Sequence, residues 1–254
     1  LFRSGGFSKN DREREIVAEI ANNHLIKGKN TAISERASSI CYYIKGLCAA
    51  TNREFEESFV NFKKVRLILD RNPKIRMDLP KRYLLTLSHL RECYMDSKNF
   101  EQAEDIIQDI KGLEGDKGFN SIDISLGIIT QSYFGELYLY NTIGQFGKSV
   151  ALLPKIHQKL EPLKDKVTKE KKLIFTYYQA YAYFGQGSFK QSLNFLNEIL
   201  NDNEQKLRQD IFMFSRIFNL VLHYDLKNYE FLDYNVKSTQ RYLKKVEKDS
   251  VIEE

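Results

Sequence analysis

Five aromatic residues, Phe55, Phe100, Phe146, Phe189 and Tyr229, follow one another along this chain at separations of 45, 46, 43 and 40 residues. They sit in segments that share one grammar: NREFEESFVNF, SKNFEQAEDII, IGQFGKSVALL, GQGSFKQSLNFL and LKNYEFLDYNV. Polar or glycine residues come first, then the aromatic, then a small or apolar residue three positions on. That last position holds Ser58, Ala103, Ser149, Ser192 and Leu232, small in four of the five, as a close helix crossing requires. A self-similarity of this period is the mark of a repeat architecture.

The sequence around each aromatic defines the unit. Before it lies an apolar stretch of helical spacing: Ile40 to Ala50, Leu84 to Met95, Ile129 to Tyr140, Ile174 to Phe184 and Ile211 to Tyr224. After it comes a narrower amphipathic stripe, such as Phe59, Phe62, Val65 and Leu69, or Phe195, Leu196, Ile199 and Leu200. Polar linkers follow at Arg71 to Lys74, Glu114 to Gly118, Lys164 to Lys172 and Asn201 to Gln205. The unit is therefore helix, tight turn, helix. One hairpin cannot bury both of its apolar faces, and a buried large side chain is worth roughly 1.5–3 kcal/mol, so such hairpins must stack. Two local readings accompany this one. Asp11 to Lys27 reads as one amphipathic helix with Ile16, Ile20 and Leu25 in register, and Pro154, inside a second helix, predicts a kink or a helix start.

Composition agrees with helices. Only 4 Pro and 13 Gly occur, too few for the turns of a β-sandwich or the phosphate loop of a dinucleotide-binding fold. A mean hydropathy of -0.46 and the absence of an eighteen-residue apolar run argue against a membrane span. The net charge of +5 comes from 39 basic and 34 acidic residues interspersed, unlike the basic stripe of a nucleic-acid footprint. In the densest basic stretch, Lys164, Lys166, Lys169, Lys171 and Lys172 are interrupted by Asp165 and Glu170, which reads as a solvated helix entrance, with phosphate binding as the lesser alternative. Three cysteines with no CxxC spacing, Cys41, Cys48 and Cys93, point to a reducing compartment, hence the cytoplasm, and to small core residues. The opening Leu1-Phe2-Arg3-Ser4-Gly5-Gly6 lacks an initiator Met and any signal-peptide pattern, as a fragment would. An upstream targeting segment stays open.

The same grammar resembles the tetratricopeptide repeat, whose first helix carries an aromatic, a small residue and a Tyr, and whose second helix opens with an aromatic followed by a small residue. Tyr177, Ala180 and Tyr183 leading to Gly187, Phe189 and Ser192 match best; Leu87 and Tyr94 leading to Phe100 and Ala103 come next, and Gly46 holds the small position of the first unit. The likeness spans about Ile40 to Lys248, with a period longer than the family's usual ~34 residues. It implies an all-α fold, a right-handed superhelix of stacked antiparallel hairpins (an α-solenoid) with about 11 helices. Residues 1–30 would be a cap or truncated repeat, and 31–254 an array with units near 31–73, 79–115, 121–162, 167–202 and 205–248.

The resemblance also implies a concave groove lined by the first helices. By register its positions are Tyr43 and Leu47; Ser88, Glu92 and Met95; Phe134, Tyr138 and Asn141; Tyr177, Tyr181 and Phe184; and Ile217, Val221 and Tyr224. Family members that clamp a terminal carboxylate use Lys and Asn at places that here hold Tyr43, Ser88, Phe134, Tyr177 and Ile217, so that ligand is disfavoured. The expected partner is a protein or peptide, an amphipathic helix or an extended segment. The alternative is that many of these tyrosines pack between helices. Catalytic patterns are missing: HExxH, GxSxG, GxGxxG, a P-loop and zinc-spaced cysteine pairs do not occur. His89 and Cys93, four apart on one helix, could bridge a metal but have no third ligand near in sequence, so neither cofactor nor metal is expected. The leading expectation is a non-catalytic interaction scaffold. A sensory or dimerising part of a larger regulator and an RNA-binding helical repeat are the alternatives.

Overall fold

A computed structural model describes residues 11–27, 34–205 and 207–252. Among the described residues there are thirteen α-helices and no strand: α1 (Asp11–Asn22), α2 (His24–Lys27), α3 (Glu35–Thr51), α4 (Phe55–Arg71), α5 (Pro73–Asp78), α6 (Pro80–Asp96), α7 (Phe100–Gly112), α8 (Ile122–Thr142), α9 (Phe146–Leu160), α10 (Lys169–Gly185), α11 (Phe189–Leu200), α12 (Gln209–Asp225) and α13 (Tyr229–Ile252). A 3-10 segment, Glu161–Lys166, joins α9 to the approach to α10. None of these helices is long and apolar enough to cross a membrane.

The five repeated segments are five copies of one turn. In each, a residue with positive φ follows a first helix: Arg53 (64°), Lys98 (58°), Gly144 (73°), Gly187 (81°) and Lys227 (59°). The next residue sends its N–H back five positions, Glu54 to Ala49 O, Asn99 to Tyr94 O, Gln145 to Tyr140 O, Ser188 to Tyr183 O and Asn228 to His223 O, all at 2.8–2.9 Å. The positive-φ residue bonds the carbonyl three back, which completes a Schellman motif and satisfies the helix's last carbonyls. In the first four turns the residue that closes the motif also caps the next helix, because Ser58, Ala103, Ser149 and Ser192 donate their N–H to its carbonyl at 3.0–3.1 Å. The repeating aromatic is thus the first residue of the second helix in every copy.

The small residues lie where helices cross. Ser58, Ala103, Ser149 and Ser192 are all buried, and Ser192 Oγ donates to Ala180 O of the paired helix at 2.6 Å. A Cβ added to Gly46 would stand 2.9–3.1 Å from the fully buried Phe62 ring, so α3 and α4 approach as closely as only glycine allows.

The chain divides into two compact units, Leu1–Ser132 and Tyr133–Glu254, with the division inside α8. In the first, α3 pairs with α4 and α6 with α7, α4 packs on α6, and the core is built on Phe62, Val65, Leu69, Leu87, Leu90 and Ile110. In the second, α10 pairs with α11 and α12 with α13, α9 packs on α10 and α11 on α12, around Leu173, Ala180, Leu196, Phe212 and Leu222. At the edge of the first unit's core, Arg66 binds Asp109 at 2.6 Å and the hydroxyl of the buried Tyr83 donates to Asp70 at 2.6 Å, tying second helices to their neighbours.

Three details differ from the sequence reading. The helix over Asp11 to Lys27 is interrupted at Asn23, whose Oδ1 accepts from Leu25 N at 3.0 Å, a local bond that competes with helix continuation. Its buried residues are Val17 and Ile26, whereas Ile16, Ile20 and Leu25 face water. Pro154 starts no helix: α9 runs through it from Phe146 to Leu160, with the proline on the exposed side. The linker around Pro73 is itself a short helix, with Pro73 at its first position, where a missing N–H costs nothing.

Candidate functional site

The second unit presents the clearest surface. Its first helices carry few charges: α10 has none from Leu173 to Gly185, and α12 has only Arg216 between Ile211 and Tyr224. Arg216 lies over the Tyr242 ring, 4.4 Å from its centroid. Glu136, the single charged residue of α8 within this unit, is buried. From this uncharged ground Tyr138, Tyr181 and Tyr224 stand out, 43%, 39% and 63% exposed, along with Ile217 and Val221. Each tyrosine ring is braced on one side. Tyr138 stacks on Tyr178 with centroids 5.4 Å apart, Tyr181 leans on Phe146 and Phe218 at 5.9 Å each, and Tyr224 meets Tyr229 edge-on at 5.9 Å. Rings held by their neighbours lose little freedom when a ligand covers the open side.

The other register positions of this unit lie deeper. Phe134 is buried and stacks on Phe175 at 4.9 Å. Asn141 is buried, its Nδ2 donating to Tyr178 O at 3.1 Å while its Oδ1 has no partner. These two are interior residues and not part of an open face. Tyr177 and Phe184 are half-buried and pack on Phe218. Burial raises the Tyr177 phenol, and the neighbouring Tyr181 adds to it. Phe214, 52% exposed on α12, belongs to the open face and escaped the register because the family pattern is anchored further along the helix.

The first unit places Tyr43, Leu47, Ser88, Glu92 and Met95 differently. Ser88 and Met95 are buried. Leu47 is half-buried against the core, and so is Tyr43, which meets Phe62 edge-on at 5.8 Å with the Arg82 guanidinium 5.6 Å over its ring. Burial pushes the Tyr43 phenol up, and Arg82 draws it part of the way back. Glu92 is the open position, its side chain 56% exposed. The protein around it raises its carboxyl, but His89 and Arg91 outweigh that, leaving it below the ordinary carboxylate range. His89 Nδ1 lies 3.3 Å from one Glu92 oxygen and Arg91 Nη2 3.4 Å from the other. Arg91 itself is buried and donates to Gln131 O, a cation inside the first unit that apolar periodicity could not locate.

The metal-spaced pair is occupied otherwise. His89 stacks on Phe62 at 4.5 Å, and the Cys93 thiol is pushed up to about 11 by burial and by Glu92 and Asp96. No group of three or more His, Cys, Asp or Glu among the described residues could hold a metal ion. The basic stretch is partly neutralised: Lys164 pairs with Glu161 at 2.8 Å, and Lys169 with Asp202 and Glu204 at 2.9 and 3.0 Å. The cavity of about 310 Å³ between Lys169 and Ile199 therefore contains Asp202 beside its cation, which makes it a poor seat for an anion.

These features define an all-α protein of helical hairpins with an open, uncharged aromatic face. No protein-family model and no curated protein matches the sequence.

Proposed function

We propose that the five hairpins are tetratricopeptide-like repeats and that the chain is a non-catalytic scaffold that holds a peptide or a partner helix on the aromatic face of its first helices. The observation that carries this is the trio Tyr138, Tyr181 and Tyr224, exposed on three successive first helices that carry little charge of their own near these rings. Tyrosine offers an apolar body and a polar tip, so a helix or extended segment with apolar anchors gains contact area while its backbone finds hydroxyl partners. The five like turns and the buried small residues at helix crossings support the repeat assignment. An RNA-binding repeat needs cations at matching places, and this face offers none.

The test is to select a displayed random 16-residue peptide library on the wild-type chain and to measure the best peptide by fluorescence anisotropy against Tyr138→Ala/Tyr181→Ala. Two aromatic anchors together carry about 2–4 kcal/mol in ordinary interfaces, a loss of roughly thirtyfold or more. Binding that stays within twofold of wild type, with the helical circular dichroism signal intact, would remove this face as the site.

A further inference from the structure

α12 is apolar on opposite sides. Phe212, Ser215, Phe218 and Leu222 are buried within the second unit, while Phe214, Ile217, Val221 and Tyr224 stand in water at 52%, 42%, 44% and 63% exposure. The exposed set is spaced three, four and three residues apart, one continuous stripe of a helix. Helices that are apolar all round are ones that become covered all round. The stripe continues onto α13, because Tyr224 meets Tyr229, 56% exposed, and Val236 lies two turns further on the same side at 37%.

We propose that this face pairs with the same face of a second copy of the chain, α12 against α12 about a two-fold axis. Three aromatics and three aliphatics at these exposures leave on the order of 500 Å² of apolar surface. That is at the upper end of what a lone soluble protein exposes in one patch. It is also what a homodimer face of ~800 Å² per partner requires when about two thirds of it is apolar. The charges fit a self-pairing. The centre of the stripe holds none, so no like charges meet there. In an antiparallel pair, the Arg208–Asp210 ion pair at one end of α12, closed within its own chain at 2.8 Å, comes to the end of the other copy that carries Asp225 and Lys227, so neither end brings an excess of one sign. The inference does not depend on the peptide-binding reading; its stripe is the α12 part of the same open face, and Tyr138 and Tyr181 lie outside it.

Sedimentation velocity on the 254-residue chain from 1 to 100 µM tests it. The expected result is a concentration-dependent species of twice 29.8 kDa, with the dissociation constant raised at least tenfold by Val221→Asp and by the milder Ile217→Ser. Tyr181→Ala should leave the dimer unchanged, which separates this inference from the peptide site. A wild-type chain still monomeric at 100 µM overturns it, as does a dimer that survives both α12 variants when circular dichroism shows them folded.

Discussion

Lys98→Gly is expected to stabilise the protein although it removes a charged side chain and adds no contact. Lys98 holds φ at 58° between α6 and α7, in the left-handed region where an L side chain costs about 1–2 kcal/mol. Glycine removes that cost but gives up roughly 0.5–1 kcal/mol of extra chain entropy on folding. The difference leaves a gain of about 0.5–1 kcal/mol, or roughly 1–4 °C in Tm for a chain of this size. The mirror experiment is Gly187→Ala, at φ 81° in the equivalent turn before α11, where an added Cβ would meet nothing within 4 Å. Its cost is then purely conformational and should match the gain at Lys98 with the sign reversed. Lys227→Gly, at φ 59°, should add to Lys98→Gly because the two turns share no hydrogen-bond partner. Calorimetric melting of the three variants and a Lys98→Ala control measures this. A Lys98→Gly melting point equal to or below wild type, or a Gly187→Ala variant as stable as wild type, would refute the five-turn equivalence.

Three other outcomes follow from the packing. Gly46→Ala forces a methyl to 2.9–3.1 Å from a fully buried Phe62 that already stacks on His89, and should cost about 1–3 kcal/mol in urea unfolding. In native alkylation at pH 8 followed by peptide mapping, Cys93, with a thiol near 11, should react far more slowly than in urea, since the thiolate is the reactive form. Tyr83, raised to about 12 by burial and by its bond to Asp70, favours the fold in its neutral form; that contribution is complete below the unfolded value of 10.0 and lost as pH climbs through about 12. Tyr83→Phe should therefore flatten the fall of stability between these two pH values, read by chemical denaturation at pH 9 to 12.

The period was legible because it records a physical requirement rather than a surface preference. A tight turn between antiparallel helices needs a left-handed residue, a residue that closes one helix and caps the next, an apolar first residue, and room at the crossing. Those needs write the pattern seen at Lys98, Asn99, Phe100 and Ala103, and at Gly187, Ser188, Phe189 and Ser192. The left-handed position itself stayed hidden, since three of its five occupants are Arg or Lys, which say nothing of φ. Breaks set by a single side chain, such as Asn23 capping α2, were equally invisible to apolar spacing.

The open face was harder to read than the turns, and α8 shows why. From Ile128 to Leu139 nearly every position is buried, and Leu137 and Leu139 lie on opposite sides of the helix. A helix surrounded by apolar positions gives periodicity no preferred side, so a family register could choose Phe134 and Asn141 as easily as Tyr138. α12 poses the reverse problem. Its sequence is as apolar as that of α8, yet Phe214, Ile217 and Val221 remain in water. Two helices of like composition with opposite surroundings differ in what has been placed against them, and nothing in the second unit covers the outer stripe of α12. This is why the self-association experiment discriminates: it asks whether the covering that α8 finds inside its own chain is found by α12 in another copy.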